Sequence, residues 1–423
     1  MGGVRTRFAP SPTGYMHVGG MRTALYAYLI AKKAGGTFIL RIEDTDQGRF
    51  VEGATEVIIR SLRDAGLNYD EGPYIQSQRR EIYAEYAEKL IALGGAYRDD
   101  AVVRQRVPKD GSTTFRDELF GDITVENSEL DESVLIKSDG MPTYNFAHVV
   151  DDHLMGITHV VRGTEFLVST PKYVLLYKAF GWEPPTYIHV APVMKDAQHK
   201  LSKRNGDPTY EDLLNMGFLK EAVLNYVALL GWSPGGEREI FSLKELEQAF
   251  GIGGLSKSPA IFDLEKLTWL NGEYIKALPP ERFMELVTLP PVEDGALLVS
   301  LLQPRCERLT DVAELTDFLV KLPDYDLSLF THKKMKTDES IAKRVLTVVR
   351  EHLKPLSAWN LEAIQDAAAA VVDRLALKNG QVLYPLRVAV SGKASTPGGG
   401  AEICVLLGKD ESLRRIDAAI ARL

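Results

Sequence analysis

In "VRTRFAP", near the start of the chain, Val4, Thr6 and Phe8 alternate with polar residues, the period of a strand. The next stretch, "APSPTGYMHVGG" (Ala9 to Gly20), holds two prolines, three glycines and one histidine, and it reads as a loop. From Met21 to Ala34 the spacing becomes helical, with Ala24, Leu25, Tyr28 and Ala31 recurring, and Gly35 with Gly36 supplies a stop. A second strand, "TFILRIED", follows, so the pattern predicts a βαβ unit with parallel strands and a right-handed crossover. The motif repeats later: "THVVRG" is strand-like, "STPKYVLLYKAFG" reads as a helix with Thr170 as N-cap and Gly181 as terminator, and "TYIHVAPVM" is a further strand.

These elements predict an α/β fold, a doubly wound parallel-sheet (Rossmann-like) domain over 1–76 and 143–207. The segment 77–142 reads as an inserted subdomain. Beyond Asp207 helical periodicity dominates, giving a helical domain over 208–278 and, after the proline-rich "LPPERF", another over 279–423. No internal repeat stands out.

A length of 423 residues with 45% hydrophobic and 26% charged positions fits a soluble chain of several domains. No signal peptide or membrane-length apolar run is visible, which places the expectation in the cytoplasm, away from membranes. Cys306 and Cys404 are far apart and lack metal-ligand or disulfide-framework spacing. A net charge of −8 means that a nucleic-acid partner would have to be held by a local basic face.

In doubly wound sheets ligands sit beyond the carboxyl ends of the strands. That rule gathers Ala9 to Gly20, Glu43 and Asp44, Arg162 and Glu165, and "KDAQHKLSKRNGD" (Lys195 to Asp207) into one crevice. Gly19 and Gly20 bare the backbone at a helix start, where unpaired N–H groups attract phosphate, and His17 adds a donor. Lys200, Lys203 and Arg204 in "HKLSKR" are flexible cations suited to polyphosphate. Alone, the glycine-rich loop reads more readily as a tight connection with His17 an ordinary surface residue; the pair of loops is far more specific. Three other stretches lie outside this chemistry: "GLSKSPAIFD" imitates the lysine loop but reads as structural or as a nucleic-acid stem contact, "VVDDH" reads as a hydrogen-bonded turn, and "GKASTPGGG" as a turn without P-loop order. "HKKMK" reads as a solvated face.

"APSPTGYMHVGG" and "KLSKR" resemble the two signatures of class I aminoacyl-tRNA synthetases. "RIEDTD", "YDEGP", "PTYNFAHVVDDHLMGITHVVRG" and "SPAIFDLEKLTWLNG" are similar to glutamyl-tRNA synthetases of bacterial type, and "LYPLRVAVSGKASTPGG" resembles their helical anticodon-binding domain. The resemblance implies activation of L-glutamate with ATP and Mg²⁺, then transfer to tRNA(Glu), by a monomer. It implies His17, Lys200 and Lys203 as catalytic residues. Gly19, Gly20, Val193, Ser202 and Arg204 join them at ATP, while Arg7, Ala9, Ser11, Glu43, Tyr144, His148, Arg162 and Glu165 hold glutamate. It further implies an acceptor-binding role for 77–142, a stem-contact role for 208–278 and anticodon binding for 279–423.

One departure concerns the stretch between "AYR" and "VRQRVP", where only Asp99 to Val102 intervene although relatives have a longer segment, often with zinc-binding cysteines; zinc has no support in this sequence. Two other classes of function share parts of the pattern. A small-molecule nucleotidylyltransferase would leave the downstream helices idle, and a non-catalytic RNA-binding paralogue would not need both signatures.

Overall fold

The computed structural model describes residues 3–201 and 206–423, which divide into two compact units: 1–215 with 220–267, and 216–219 with 268–423. In the first unit, β1 (Arg5–Phe8), β2 (Thr37–Ile42) and β3 (Glu71–Ile75) lie in one sheet with β6 (Ser112–Asp117), β7 (Gly121–Glu126), β9 (His159–Gly163) and β10 (Thr186–Val190). The order is β3-β2-β1-β9-β10-β6-β7, parallel throughout except for the β6–β7 hairpin at one edge. A smaller antiparallel sheet comprises β4 (Ala96–Asp99), β5 (Val102–Gln105) and β8 (Val134–Ile136). The segment 77–142 thus contributes both this sheet and two strands of the main one.

Alternation along the strands sorts the side chains to two faces. Thr6 donates to the Ala27 carbonyl of α1 (Val18–Lys33), which covers one face. Arg5 and Arg7 point to the other, where they meet Met155 and Asp152 at the end of α4 (Tyr144–Leu154). The same face carries an apolar cluster of Ile39, Phe115, Val160 and Tyr187. Two residues further along each of those strands stand Arg41, Asp117, Arg162 and His189, all buried. A row of polar side chains therefore crosses this face at the carboxyl ends of β2, β1, β9, β10 and β6. Next to it, α3 (Arg80–Ala92), α4 and α5 (Thr170–Phe180) pack with the small sheet around Tyr83, Leu90, Phe146, Val150 and Leu176.

Three local expectations change. The helix α1 begins at Val18 rather than Met21, because His17 caps it, so Gly19 and Gly20 form its first turn. Ser169 rather than Thr170 occupies the cap position of α5, with Pro171 in the first turn, and the Thr170 hydroxyl is used elsewhere. Asp151 and Asp152 lie in the last turns of α4, not in a turn, and each is buried against arginines.

The helical stretch expected as a separate domain over 208–278 is divided between the units. Helix α1 is apolar nearly all round and needs cover on its outer side. That cover is α7 (Lys220–Leu229) and α8 (Leu243–Ala249), after α6 (Tyr210–Asn215). The Tyr26 hydroxyl donates towards the Ala228 and Leu230 carbonyls, and Lys33 reaches the Phe250 carbonyl at 2.7 Å. A two-residue strand β12 (Ala260–Ile261) pairs with β11 (Val193–Met194), just before the lysine loop.

The second unit is helical, built on α13 (Glu339–Leu353), α14 (Leu361–Leu375), α15 (Asn379–Ser391), α16 (Gly400–Leu407) and α17 (Lys409–Arg422). Asp338 and Asn360 cap α13 and α14 by accepting the N–H groups of Ile341 and Ala363. Val345, Leu346, Ile364, Val371, Val388, Ile403 and Ile416 fill its core, and the free thiols of Cys306 and Cys404 are buried in this unit. Among the described residues no helix is long and apolar enough to cross a membrane.

Candidate active site

Chain order reverses at the centre of the sheet, with β2 and β3 on one side of β1 and β10 and β6 on the other side of β9. Loops leaving β1 and β9 therefore diverge, and between them lies a cleft of ≈ 710 Å³. Residues from Arg7 to Thr23, together with Glu43, Tyr144, Arg162, Glu165, Val193 and Lys200, contribute to its lining.

At one end the cleft meets the start of α1. Nδ1 of His17 accepts the Gly20 N–H at 3.1 Å, so in the neutral ring the proton sits on Nε2, free to donate outward. A Cβ on Gly19 would come within 3.2 Å of that ring, which explains a glycine beside the histidine. No acidic residue occupies the first turn of α1, so its positive end is not neutralised locally. Lys200 is exposed at this cleft; Ser202, Lys203 and Arg204 lie outside the described residues.

The other end is the polar row of the sheet. Asp152 binds Arg7 Nε at 3.1 Å and Arg41 Nη1 at 2.8 Å. Arg41, fully buried, also donates from Nη2 to Glu43 Oε1 at 2.8 Å. Burial pushes the Asp152 carboxyl up, but the charges of Arg7 and Arg41 outweigh it and hold the carboxyl well below the ordinary carboxylate range. Glu43 ends above its ordinary value because burial outweighs Arg41 and Arg7. Arg7 is thus already paired with an acid.

Arg162 differs. Among the described residues it has no ion-pair partner, although it is only 5% exposed. Its Nε donates to His189 Nε2 at 3.0 Å and its Nη2 to Thr170 Oγ1 at 2.7 Å, and its buried Nη1 lacks a hydrogen-bond partner. The rings of Tyr173, Phe166 and Tyr187 lie 5.0, 5.1 and 5.3 Å from its guanidinium carbon. A buried cation surrounded by neutral and aromatic groups is incomplete without an anion.

Of the residues expected at glutamate, Arg7, Ala9, Ser11, Glu43, Tyr144, Arg162 and Glu165 line the cleft. His148 does not. It is 2% exposed beneath Tyr144, stacked on that ring at 4.6 Å, with Nδ1 2.7 Å from the Tyr144 carbonyl. Burial, then the Arg162 charge, push its pKa down to about 3, so the ring is neutral and its place is to support Tyr144. Sequence reasoning missed Asp152, Arg41, His189, Asp117 and Arg22. Arg22 lines the cleft and donates to the Leu230 and Ala191 carbonyls, tying α1 to the end of β10. An arginine on the apolar face of a helix, and a histidine inside the apolar strand "TYIHV", were the available signals.

Two family models match the chain. That of the class I tRNA synthetase (E and Q) catalytic domain covers residues 3–101 and 99–269, and that of an anticodon binding domain covers 258–420. Together they define a class I tRNA synthetase. A glutamate–tRNA ligase of Clostridium kluyveri is 52% identical over 478 aligned positions, covering 99% of this chain and 98% of that protein. One of Clostridium botulinum (strain Loch Maree) is 51% identical with the same coverage. The crystal structure of a glutamate tRNA ligase from Elizabethkingia meningosepticum, in complex with its amino acid, superposes with a TM-score of 0.90 at 31% identity over 99% of both chains. The chain belongs to the glutamate–tRNA ligase family.

The alignment with the Clostridium kluyveri protein runs over more positions than the 423 residues of this chain, and the catalytic-domain match breaks at residues 99–101. There β4 and β5 join in a tight hairpin, with Asp99 opposite Val102 and Asp100 at φ 50°. The shortened connection is closed by ordinary strand pairing.

Proposed function

We propose that glutamate binds at the arginine end of the cleft and the ATP phosphates at the start of α1, with glutamyl-adenylate forming between them. The chain acts as a glutamate–tRNA ligase, a class I aminoacyl-tRNA synthetase. An oxygen of the glutamate α-carboxylate bonds to the α-phosphorus of ATP as the bond to pyrophosphate breaks; a hydroxyl of the terminal ribose of tRNA then bonds to the acyl carbon as the bond to AMP breaks, and AMP leaves with the hydroxyl proton given up. No nucleophilic side chain is needed, so the protein's contribution is positioning and charge stabilisation.

Arg162 is the observation that carries this reading, since its buried charge has no acid partner among the described residues and a substrate carboxylate completes it. Arg7, shared with Asp152, stands on the neighbouring strand β1 at the same end of the cleft, and Glu43 provides an acceptor for the ammonium. His17 Nε2–H, the first-turn amides of α1 and Lys200 face the phosphates. Magnesium would be held mainly by the nucleotide's own phosphates, where it would add positive charge beside Lys200, since the described residues offer no cluster of three carboxylate, histidine or cysteine ligands. The region matched by the anticodon binding model holds the anticodon loop.

The test is ATP- and tRNA-dependent attachment of labelled glutamate, with glutamine as competitor. Charging with glutamate is expected; charging with glutamine alone, or none with an intact fold, overturns the reading. A second prediction separates two tasks of His17. Asparagine at this position keeps a cap for α1 but lacks the Nε2 donor, so His17→Asn should melt like wild type. It should lose about 1.5–3 kcal/mol of transition-state stabilisation in kcat/KM for ATP, the worth of one hydrogen bond to a charged group. Unchanged ATP kinetics would remove His17 from the phosphate site.

A further inference from the structure

Arg7 and Arg41 are held by carboxylates, but Arg162 is held by neutral groups, and the difference traces to one chain of protons. Asp117, at the end of β6, accepts the Leu119 and Phe120 N–H groups on Oδ1, both at 2.9 Å. Its Oδ2 accepts the His189 backbone N–H at 3.1 Å and lies 2.7 Å from His189 Nδ1. Burial pushes this carboxyl up, but the His189 bond and the backbone donors together bring it below its ordinary value, so it is an ionised acceptor. Nδ1 of His189 must then be the donor, and Nε2 of the neutral ring is left as an acceptor. That nitrogen takes the Arg162 Nε–H. The Thr170 hydroxyl donates to the Phe166 carbonyl at 2.8 Å, so its lone pairs face Arg162 Nη2.

We propose that His189 is a positioning residue, an uncharged acceptor that aims Arg162 at the glutamate carboxylate, with Asp117 fixing the required tautomer. An aspartate in its place would orient the guanidinium equally well but would compete with the substrate for its charge. A neutral imidazole orients without neutralising. The negative charge that sets the tautomer is kept one ring further away, on a strand contributed by the segment 77–142. The inference rests on Arg162 being the glutamate ligand.

Two isosteres divide the ring's two bonds. The shorter amide of His189→Asn can reach Asp117 but not Arg162, whereas His189→Gln places its amide oxygen where Nε2 stood. In tRNA charging, His189→Asn is expected to raise the glutamate KM about tenfold or more, the worth of a hydrogen bond to a charged group, with the ATP KM within about twofold. His189→Gln should recover most of that loss. Thr170→Val, of nearly the same shape, removes the second holder and should raise the glutamate KM about fivefold, which keeps the test available if the asparagine variant does not fold. Equal losses in the asparagine and glutamine variants, a matching rise in the ATP KM, or normal glutamate kinetics in Thr170→Val and His189→Asn would overturn the role of His189. Arg162→Ala is the separating control. If it too leaves the glutamate KM unchanged, the reading of the cleft fails; if it alone is impaired, only the positioning role fails.

Discussion

Arg162→Ala is expected to lower kcat/KM for glutamate by about 3–5 kcal/mol, a factor of about 10² to 10³ or more, because a substrate carboxylate is left unpaired in a buried site. The ATP KM should move little, since the phosphates are proposed to bind at the start of α1, at the other end of the cleft. Arg7→Ala is expected to act on glutamate use as well, but it also strips Asp152 of one of its two arginines, so part of its cost appears as lost stability. Initial rates over a glutamate and ATP grid distinguish the cases. A variant of Arg162 that suffers in ATP rather than glutamate would show that the amino acid binds elsewhere.

Asp152→Ala should destabilise the first unit by about 3–5 kcal/mol, since Arg7 and Arg41 would be left as buried charges without this partner. The wild-type contribution has a defined pH dependence. The folded carboxyl lies well below its ordinary value, so its stabilisation is whole above the unfolded pKa of about 4 and fades as pH falls from there through the folded value. Denaturant midpoints measured from pH 7 downward should therefore keep this contribution to about pH 4 and lose it below for wild type, while the alanine variant starts low and falls less there. Parallel curves for the two proteins would mean that Asp152 is not the group being titrated.

The order of strands and helices at the start of the chain was legible because its signals are local: alternation in β1, helical spacing in α1, and glycines that stop the helix. Strand β3 was not, because "EGPYI" has no alternating apolar set and gains its place only by pairing with β2. In β6 the buried positions are Thr113, Phe115 and Asp117, so two of its three inward residues are polar and the strand hides from a hydrophobic reading. The cleft residues were legible where a rule ties position to function, as at strand ends and helix starts. Asp152 with Arg7 and Arg41 could not be found that way. The partners are 145 and 111 residues apart in sequence, and the pairing exists only once the sheet and α4 are assembled.

The cover on α1 also bears on how this protein can be divided. Ending a fragment at Asp207 looks natural on paper, yet it would discard α7, α8 and β12. Tyr26, now packed on Phe250 with ring centres 5.0 Å apart, would face water, and the guanidinium of Arg22 would lose the Leu230 carbonyl. An excised piece of that length would be prone to self-association through the bared helix, and α1 would lose part of the tie that Arg22 gives it beside the cleft. The first unit runs on past the lysine loop to Leu267, so a workable split, whether made by recombination or by an expression design, falls near that residue rather than at the end of the lysine loop.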